Sequence, residues 1–508
     1  MKLKDLLDRN VSEFGEYPFI YYEEKQYSNV ETKSFADQIA NGLHKLGVEP
    51  GDRVAVCMPN CPEVIFSYQG ITRSGAVIVP IMFTLHQKEI HFIIKNCKAK
   101  VIITSSYTAE NMKKALEGLD NKPVLLVADI PSGNGMTNLY DMMSSDPGNL
   151  KSVPDSSEED TAVILYTSGT TGNPKGVLLT HKNLYSNAVN SAAHKETERG
   201  ATIGVLPLAH VYGLTISNVS YITGSSVVVF SKFDPVKVFK AIEKYQVKAF
   251  SAVPAMIHAM LASEHAEHYD TSSLEWVGSG SAPLPIALLN GFQQKFKAKV
   301  LEGYGLSEAA PVVTAHNKKI AVKPGSVGIP IPGTKIKIVN SHREEVPAGE
   351  VGELIVSGDH VTPGYYQNEE ETSRILVNGW LHTGDMGRVD EDGYLYIVDR
   401  KKDLIIRGGF NVYPRDIEEL LNGHEQVFEA AVVGIPDERM GEEIVACVVK
   451  KAGASVTEDK LIQYCQDYLA KNKTPKMIIF AESLPRNGVG KILKTRLRES
   501  IAGSISSR

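Results

Sequence analysis

Short runs of aliphatic and β-branched residues alternate with helical periodicities along the first 400 residues, and this alternation limits the fold more than any other feature. Residues 54–58 read as a buried strand. Residues 62–72 follow as a helix with Val64, Ile65, Tyr68 and Ile71 on one face. Residues 76–80 are a strand again, before a helix that carries Ile90, Phe92, Ile93 and Ile94. Further strands are expected at 101–104, 124–127, 162–166, 227–230 and 250–253. Strands that are apolar throughout, spaced by helices, imply parallel sheets covered by helices on both faces.

The texture changes after about Lys323. Residues 335–339 and 353–356 alternate more strictly between Gly and Pro turns, which predicts a smaller antiparallel or barrel-like unit. Residues 403–508 read as a compact α+β unit. Pro414 suits the first turn of a helix, where its missing N–H costs nothing. Thr457 can cap a later helix whose apolar face holds Leu461, Ile462, Cys465 and Leu469. The fold expected is therefore α/β: two parallel-rich subdomains and a barrel-like one, then a small α+β C-terminal domain.

A chain of 508 residues is too long for one core and calls for two to four domains. Hydrophobic residues at 43% and charged residues at 22% exclude disordered, collagen-like and coiled-coil classes. A formal net charge of −6 gives no global reason to seek nucleic acid or an anionic membrane. The five cysteines form no Cys-x-x-Cys pair, so reduced, mostly buried thiols are expected. The N-terminus has charges every few residues and no apolar segment of signal-peptide type. No run approaches a membrane span, so the expectation is a cytoplasmic protein without stable membrane insertion.

The most informative segment is 166–177, YTSGTTGNPKGV. It follows a buried strand and precedes a helix beginning near Thr180. Gly169, Gly172 and Gly176 let the backbone turn and expose N–H groups. Thr167, Ser168, Thr170 and Thr171 add hydroxyl donors, and Lys175 adds a point charge. Such a concentration of donors around one cation suits a polyphosphate. The Gly-Lys-Ser/Thr ending of a Walker loop is absent. A flexible surface loop would explain the small residues but not the strand–loop–helix context.

This loop resembles the signature of the adenylate-forming superfamily of acyl-CoA synthetases, aryl-CoA ligases, adenylation domains and luciferases. The resemblance recurs in order at 303–308 (GYGLSE), 379–385 (GWLHTGD), 399–405 (DRKKDLI), 408–414 (GGFNVYP) and 485–491 (PRNGVGK). It runs from end to end and is closest to bacterial AMP-forming fatty acyl-CoA ligases. It implies two half-reactions. A carboxylate first attacks the α-phosphate of ATP, giving an acyl-adenylate and pyrophosphate. The thiol of coenzyme A then displaces AMP. The first step brings anions together, so neutralisation of charge should dominate the catalysis.

By that resemblance, Lys175 with Thr167, Ser168, Gly169, Thr170 and Thr171 would hold the phosphates, and Glu308 would bind Mg²⁺. Glu302, Gly303, Tyr304, Gly305 and Ser307 would frame the adenine and phosphate, with Gly280, Ser281 and Ala282 on the other side. Ser307 stands where Thr is commoner, and Ser281 where a small apolar residue is commoner. Asp385 would accept the ribose hydroxyls and Arg400 would reach the ribose or a phosphate. His210 would lie beside the acyl carboxylate. Lys491, on a loop freed by Gly488 and Gly490, would bridge carboxylate and α-phosphate. The resemblance divides the chain into an ATP- and acyl-binding domain (1–399), a hinge (400–402, with Lys402 as pivot) and a mobile domain (403–508). In a second pose of that domain, Gly408, Gly409 and Phe410 would wall the pantetheine tunnel.

The acyl pocket should be lined by 210–214, 253–260, 278–282 and 304–309, which are mostly small or apolar. No Arg or Lys within them is placed to meet a second carboxylate, so a hydrophobic monocarboxylate fits best, a fatty acid first. An aryl or alicyclic acid, or the reverse reaction making ATP, would use the same residues. The resemblance leaves room for a homodimer. A light-emitting oxygenase and a catalytically inactive nucleotide-binding protein remain as readings from other classes.

Overall fold

The computed structural model describes residues 1–133, 135–143, 156–167, 174–486 and 492–505. The expected alternation is present. An eight-stranded sheet has the order Gly364–Tyr365, Lys175–Thr180, Thr161–Thr167, Val77–Pro80, Arg53–Cys57, Val101–Thr104, Val124–Val127, Thr137–Asn138. Its last six strands run parallel, and its first two are antiparallel additions at one edge. The strands Val77–Pro80 and Val101–Thr104 are buried at every position, as strands covered on both faces should be.

The helix Pro62–Arg73 fits the same logic: Val64, Ile65, Tyr68 and Ile71 lie in one core cluster. All of its residues but Glu63 are buried, because the helix Asn29–Lys45 also packs on it. A Cβ on Gly70 would lie 2.6 Å from Ile39 of that neighbour, so the two helix backbones approach closely.

The second parallel element holds Ala249–Ala252, Trp276–Ser279 and Lys299–Gly305, continued antiparallel by Val312–Ala315 and Ile329–Pro330. A four-stranded sheet, Ala201–Gly204, Ser226–Val229, Pro18–Tyr22 and Lys25–Ser28, lies beside it. The change of texture after Lys323 corresponds to an antiparallel unit built from Lys335–Val339, Gly352–Ser357, Trp380–Val389, Leu376–Val377 and Leu395–Arg400. It has its own core around Leu354, Val356, Leu381 and Leu395.

The C-terminal unit is a five-stranded sheet whose long antiparallel pair, Val427–Asp437 and Gly441–Lys450, forms its centre. Its two faces carry separate apolar clusters, one under the helices Pro414–Asn422 and Glu458–Tyr468, the other under Lys494–Ile505. Pro414 opens its helix, and Thr457 caps the next one by accepting from the Lys460 N–H. All five cysteines are unpaired thiols, four of them buried. Among the described residues no helix is long and apolar enough to cross a membrane.

Candidate active site

A cavity of about 940 Å³ lies where the first sheet, the second sheet, the antiparallel unit and the C-terminal unit meet. The segment 161–180 forms one wall, by a route the sequence reading did not foresee. The loop after Thr167 is followed by another strand, not directly by the helix. Thr161–Thr167 and Lys175–Thr180 pair antiparallel, with Thr167 opposite Lys175. The helix then starts at His181, where Thr180 accepts from the Asn183 N–H at 3.1 Å. Such a cap contributes about 1 kcal/mol. Ser168, Gly169, Thr170 and Thr171 lie outside the described residues, as do Gly488, Gly490 and Lys491.

Thr167 and Lys175 both line the cavity. The Lys175 ammonium contacts the Glu371 carboxylate and lies 5.6 Å from the centre of the Tyr365 ring. Arg374 reaches the other oxygen of Glu371 at 2.6 Å. The hydrogen bond from Lys175 is the main reason that the Glu371 carboxyl titrates below its ordinary range. Glu308 faces the same space from a short turn, Ser307–Ala309, and one of its oxygens accepts from Tyr365 Oη at 2.8 Å. Its other oxygen has no hydrogen-bond partner among the described residues.

The opposite wall is the end of the strand Lys299–Gly305. Gly305 is required there because a Cβ would fall 2.1 Å from the Pro311 carbonyl oxygen. Tyr304 donates its hydroxyl to Asp385 Oδ2 at 2.5 Å, and Arg400 Nε lies 3.4 Å from Asp385 Oδ1. Burial first, and then the adjacent Asp385 charge, push the Tyr304 phenol far above its ordinary range. It therefore stays a donor, and with the hydroxyl so engaged the ring face is what it offers to a ligand. Gly280 and Ser281 complete this side. Ser281 holds φ at +70°, a left-handed conformation few non-glycine residues adopt.

His210 caps the helix Val211–Thr223, its Nδ1 accepting from the Tyr212 N–H at 3.3 Å. That bond leaves the neutral-form proton on Nε2. The chain can turn here because Gly213 packs on Pro207, whose carbonyl oxygen would be 2.0 Å from a Cβ. From the C-terminal side, Lys402, Asp403 and Lys494 border the cavity. Burial is the largest influence on Lys402 and moves its ammonium below the usual lysine range. The two parts also touch outside the cavity: Arg415 donates its backbone N–H to Asp399 at 3.0 Å, and the Phe428 ring meets His258 edge-on at 5.4 Å.

The structure thus brings together Thr167, Lys175, His210, Gly280, Ser281, Gly303, Tyr304, Gly305, Ser307, Glu308, Asp385, Arg400 and Lys402. It sets others apart. Glu302 alternates with Leu301 and Gly303 along the strand; those two line the cavity and Glu302 does not. Its carboxyl is 4% exposed, one oxygen lacks a partner, and burial raises it to about 7 despite the nearby Arg415. Ala282 is exposed beyond the rim. Gly408 and Gly409 form the turn of a hairpin between Ile405–Arg407 and Phe410–Val412, with Phe410 61% exposed and away from the cavity lining. Residues 253–260 are also absent from the lining, because Ile257 and Met260 turn into the core of the second sheet.

Several lining residues went unforeseen, among them Tyr365, Glu371, Arg374 and Lys494. Another is Lys195, the last residue of the helix His181–Lys195. It lies outside the segments from which the lining was expected, and it adds a lysine to the cavity wall. In the sequence, HKETERG reads as a solvated helix end, and nothing in it signals that the helix delivers Lys195 inward.

Among the described residues, no three His, Cys, Asp or Glu side chains are grouped to hold a metal. Magnesium needs no such group: it takes one or two carboxylates together with phosphates and water. A single carboxylate with a spare oxygen, in a hydroxyl-bearing cavity, fits that requirement.

The profile of the AMP-binding enzymes matches residues 7–366, and that of the AMP-binding enzyme C-terminal domain matches 416–491. The long-chain-fatty-acid–CoA ligase of Bacillus subtilis is 36% identical, covering 98% of this chain and 94% of the relative. A feruloyl-CoA synthase of Amycolatopsis is 37% identical, covering 91% of each. The crystal structure of ATP-bound MatB from Rhodopseudomonas palustris superposes with a TM-score of 0.91 at 31% identity, over 98% of this chain and 99% of that one.

Proposed function

The chain belongs to the AMP-binding enzymes and is an acid–thiol ligase, and from that premise we propose that it joins a hydrophobic monocarboxylate to coenzyme A through an acyl-adenylate. The observation that carries this reading is the convergence on one cavity of Lys175, His210, Tyr304, Glu308, Asp385 and Arg400. Each suits one part of the reaction. Lys175 exchanges Glu371 for the outer phosphates of ATP. The Tyr304 ring packs on the adenine while Asp385 accepts the ribose hydroxyls. Glu308 holds Mg²⁺, which neutralises phosphate charge when bound. His210 Nε2–H is the donor beside the acyl carboxylate. In this proposal Lys491 bridges the attacking carboxylate and the α-phosphate.

Residues 1–399 form the ATP- and acyl-binding domain, 400–402 the hinge, and 403–508 the domain that moves between half-reactions. Lys402, at the edge of the cavity, is the pivot. The exposed Gly408–Gly409–Phe410 hairpin is then brought to the cavity in the second pose and lines the path of the pantetheine arm. The enzyme works in the cytoplasm, and its partners are the acid, ATP and coenzyme A. An aryl acid is the second reading, favoured by 37% identity to the feruloyl-CoA synthase.

The test is pyrophosphate release with a panel of aliphatic and aryl carboxylates, with and without coenzyme A. Pyrophosphate that depends on the acid, and thioester only when coenzyme A is added, is the expected result. No pyrophosphate with any acid would leave an inactive nucleotide-binding protein as the better reading.

A further inference from the structure

Lys195 differs from Lys175, Arg374 and Arg400. Like Lys402, it lines the cavity with no carboxylate at ion-pair distance among the described residues; its ammonium lies 5.4 Å from the centre of the Trp276 ring. Burial alone brings it down to about 8, so at neutral pH it is still mainly charged. A desolvated cation without an anion is costly unless something else satisfies it.

Beyond Lys195 the space continues. A side cavity of about 100 Å³ shares Lys195, Tyr212 and Val312 with the main one, so these three residues form its mouth. Ser191, one turn before Lys195 and on the same helix face, also lines it. Ser191 is 4% exposed and its hydroxyl has no partner in the protein. The recess thus holds Lys195 and Ser191, both lacking an acceptor, in room for a few heavy atoms; the Glu198 carboxylate that also lines it is already engaged by Lys248 and Lys318. A plain alkyl end would leave both groups unsatisfied there. An oxygen on the far end of the acid would satisfy them.

We propose that Lys195, with Ser191, selects acids that carry an acceptor oxygen, a hydroxyl or a carboxylate, at the end remote from the reacting carboxylate. This rests on the acyl-adenylate reading and narrows its substrate class. A site built to bond a substrate oxygen discriminates more strongly than an apolar pocket, because the analogue without it leaves polar groups buried and unpaired.

The test uses the full-length enzyme and matched acids: octanoate, omega-hydroxyoctanoate and octanedioate; cinnamate and para-hydroxycinnamate. kcat/KM for pyrophosphate release is compared between wild type, Lys195→Met and Lys195→Arg. The wild type should prefer the oxygenated member of a set. Lys195→Met should shift that ratio by roughly 10- to 100-fold towards the plain acid, and Lys195→Arg should largely keep it. The hydroxy and dicarboxylic arms tell which oxygen is read. Should Lys195→Met not fold, Lys195→Gln gives the same comparison. An unchanged ratio in an active Lys195→Met enzyme, or a wild-type preference for the plain acids, overturns the inference and leaves the ligase reading standing. No pyrophosphate from any acid overturns both.

Discussion

Three cations of the cavity have carboxylates beside them: Lys175 and Arg374 meet Glu371, and Arg400 lies against Asp385. Lys195 instead has an aromatic ring beside it, and its own helix carries an unpartnered serine hydroxyl one turn away. The difference separates two uses of positive charge. A cation already paired can pass to a phosphate at little net cost, since one anion replaces another. An unpaired, desolvated cation gains a great deal from the right ligand and nothing from the wrong one. On this account the first arrangement serves every substrate alike, and the second distinguishes between them.

Neither the paired cations nor Lys195 bridge the reacting groups, a role proposed for Lys491. Lys491→Ala should therefore have the largest effect, lowering adenylate formation by roughly 10²–10³-fold or more. Thioester formation from a supplied adenylate should continue, and equal loss in both assays would remove the division of labour between the half-reactions.

Lys175→Met should come next, with kcat/KM for ATP reduced by about 10²-fold, the scale of losing one charged donor at developing negative charge. The sharper point is uniformity. The loss should be the same for every acid in the panel, whereas Lys195→Met should alter the ranking of acids. A ranking changed by Lys175→Met would break the comparison.

Glu371→Gln tests the exchange of partners directly. Freed from its carboxylate, Lys175 should bind ATP more readily, with KM for ATP lowered by roughly two- to fivefold, the scale of a partly exposed ion pair. A raised KM would show that Glu371 contributes to nucleotide binding rather than competing with it.

Glu302→Gln should affect stability, since Glu302 lies outside the cavity lining. The folded Glu302 carboxyl is raised to about 7, above its ordinary 4.5. Below the lower value both folded and unfolded chains are protonated there. Between the two values the unfolded chain is ionised and the folded one is not, so stability falls as pH rises, by up to about 3 kcal/mol once above 7. Glutamine does not titrate. The melting temperature of Glu302→Gln should thus gain on the wild type between about pH 5 and about pH 8. A constant difference across that range would mean that Glu302 is ionised in the fold.

Much of this architecture was legible from residue order. The strands Val101–Thr104 and Val124–Val127 span their short apolar runs, and Lys335–Val339 spans its alternating one. Their partners were not legible, because a run of valines and isoleucines states that it is buried and not what lies beside it. The hairpin after Thr167 escaped notice for that reason: Lys175–Thr180 is a short apolar run before a helix, and only its pairing makes it a strand. The motifs located much of the cavity because glycines such as Gly305 record close backbone approaches that no other residue permits. Lys195 had no such mark. It becomes part of the site through the packing of a helix whose local sequence reads as polar surface. Glu302 shows the converse: it adjoins a motif, yet the pleat turns its side chain to the opposite face.

The central claim is that the carboxylate attacks ATP itself before any thiol takes part. It is tested most directly by labelling the carboxylate of an accepted acid with heavy oxygen, letting the enzyme turn over with ATP and coenzyme A, and weighing the AMP by mass spectrometry. Attack on the α-phosphate followed by thiol displacement leaves one labelled oxygen in the phosphate of AMP. Unlabelled AMP, or ADP as the product, would contradict the account.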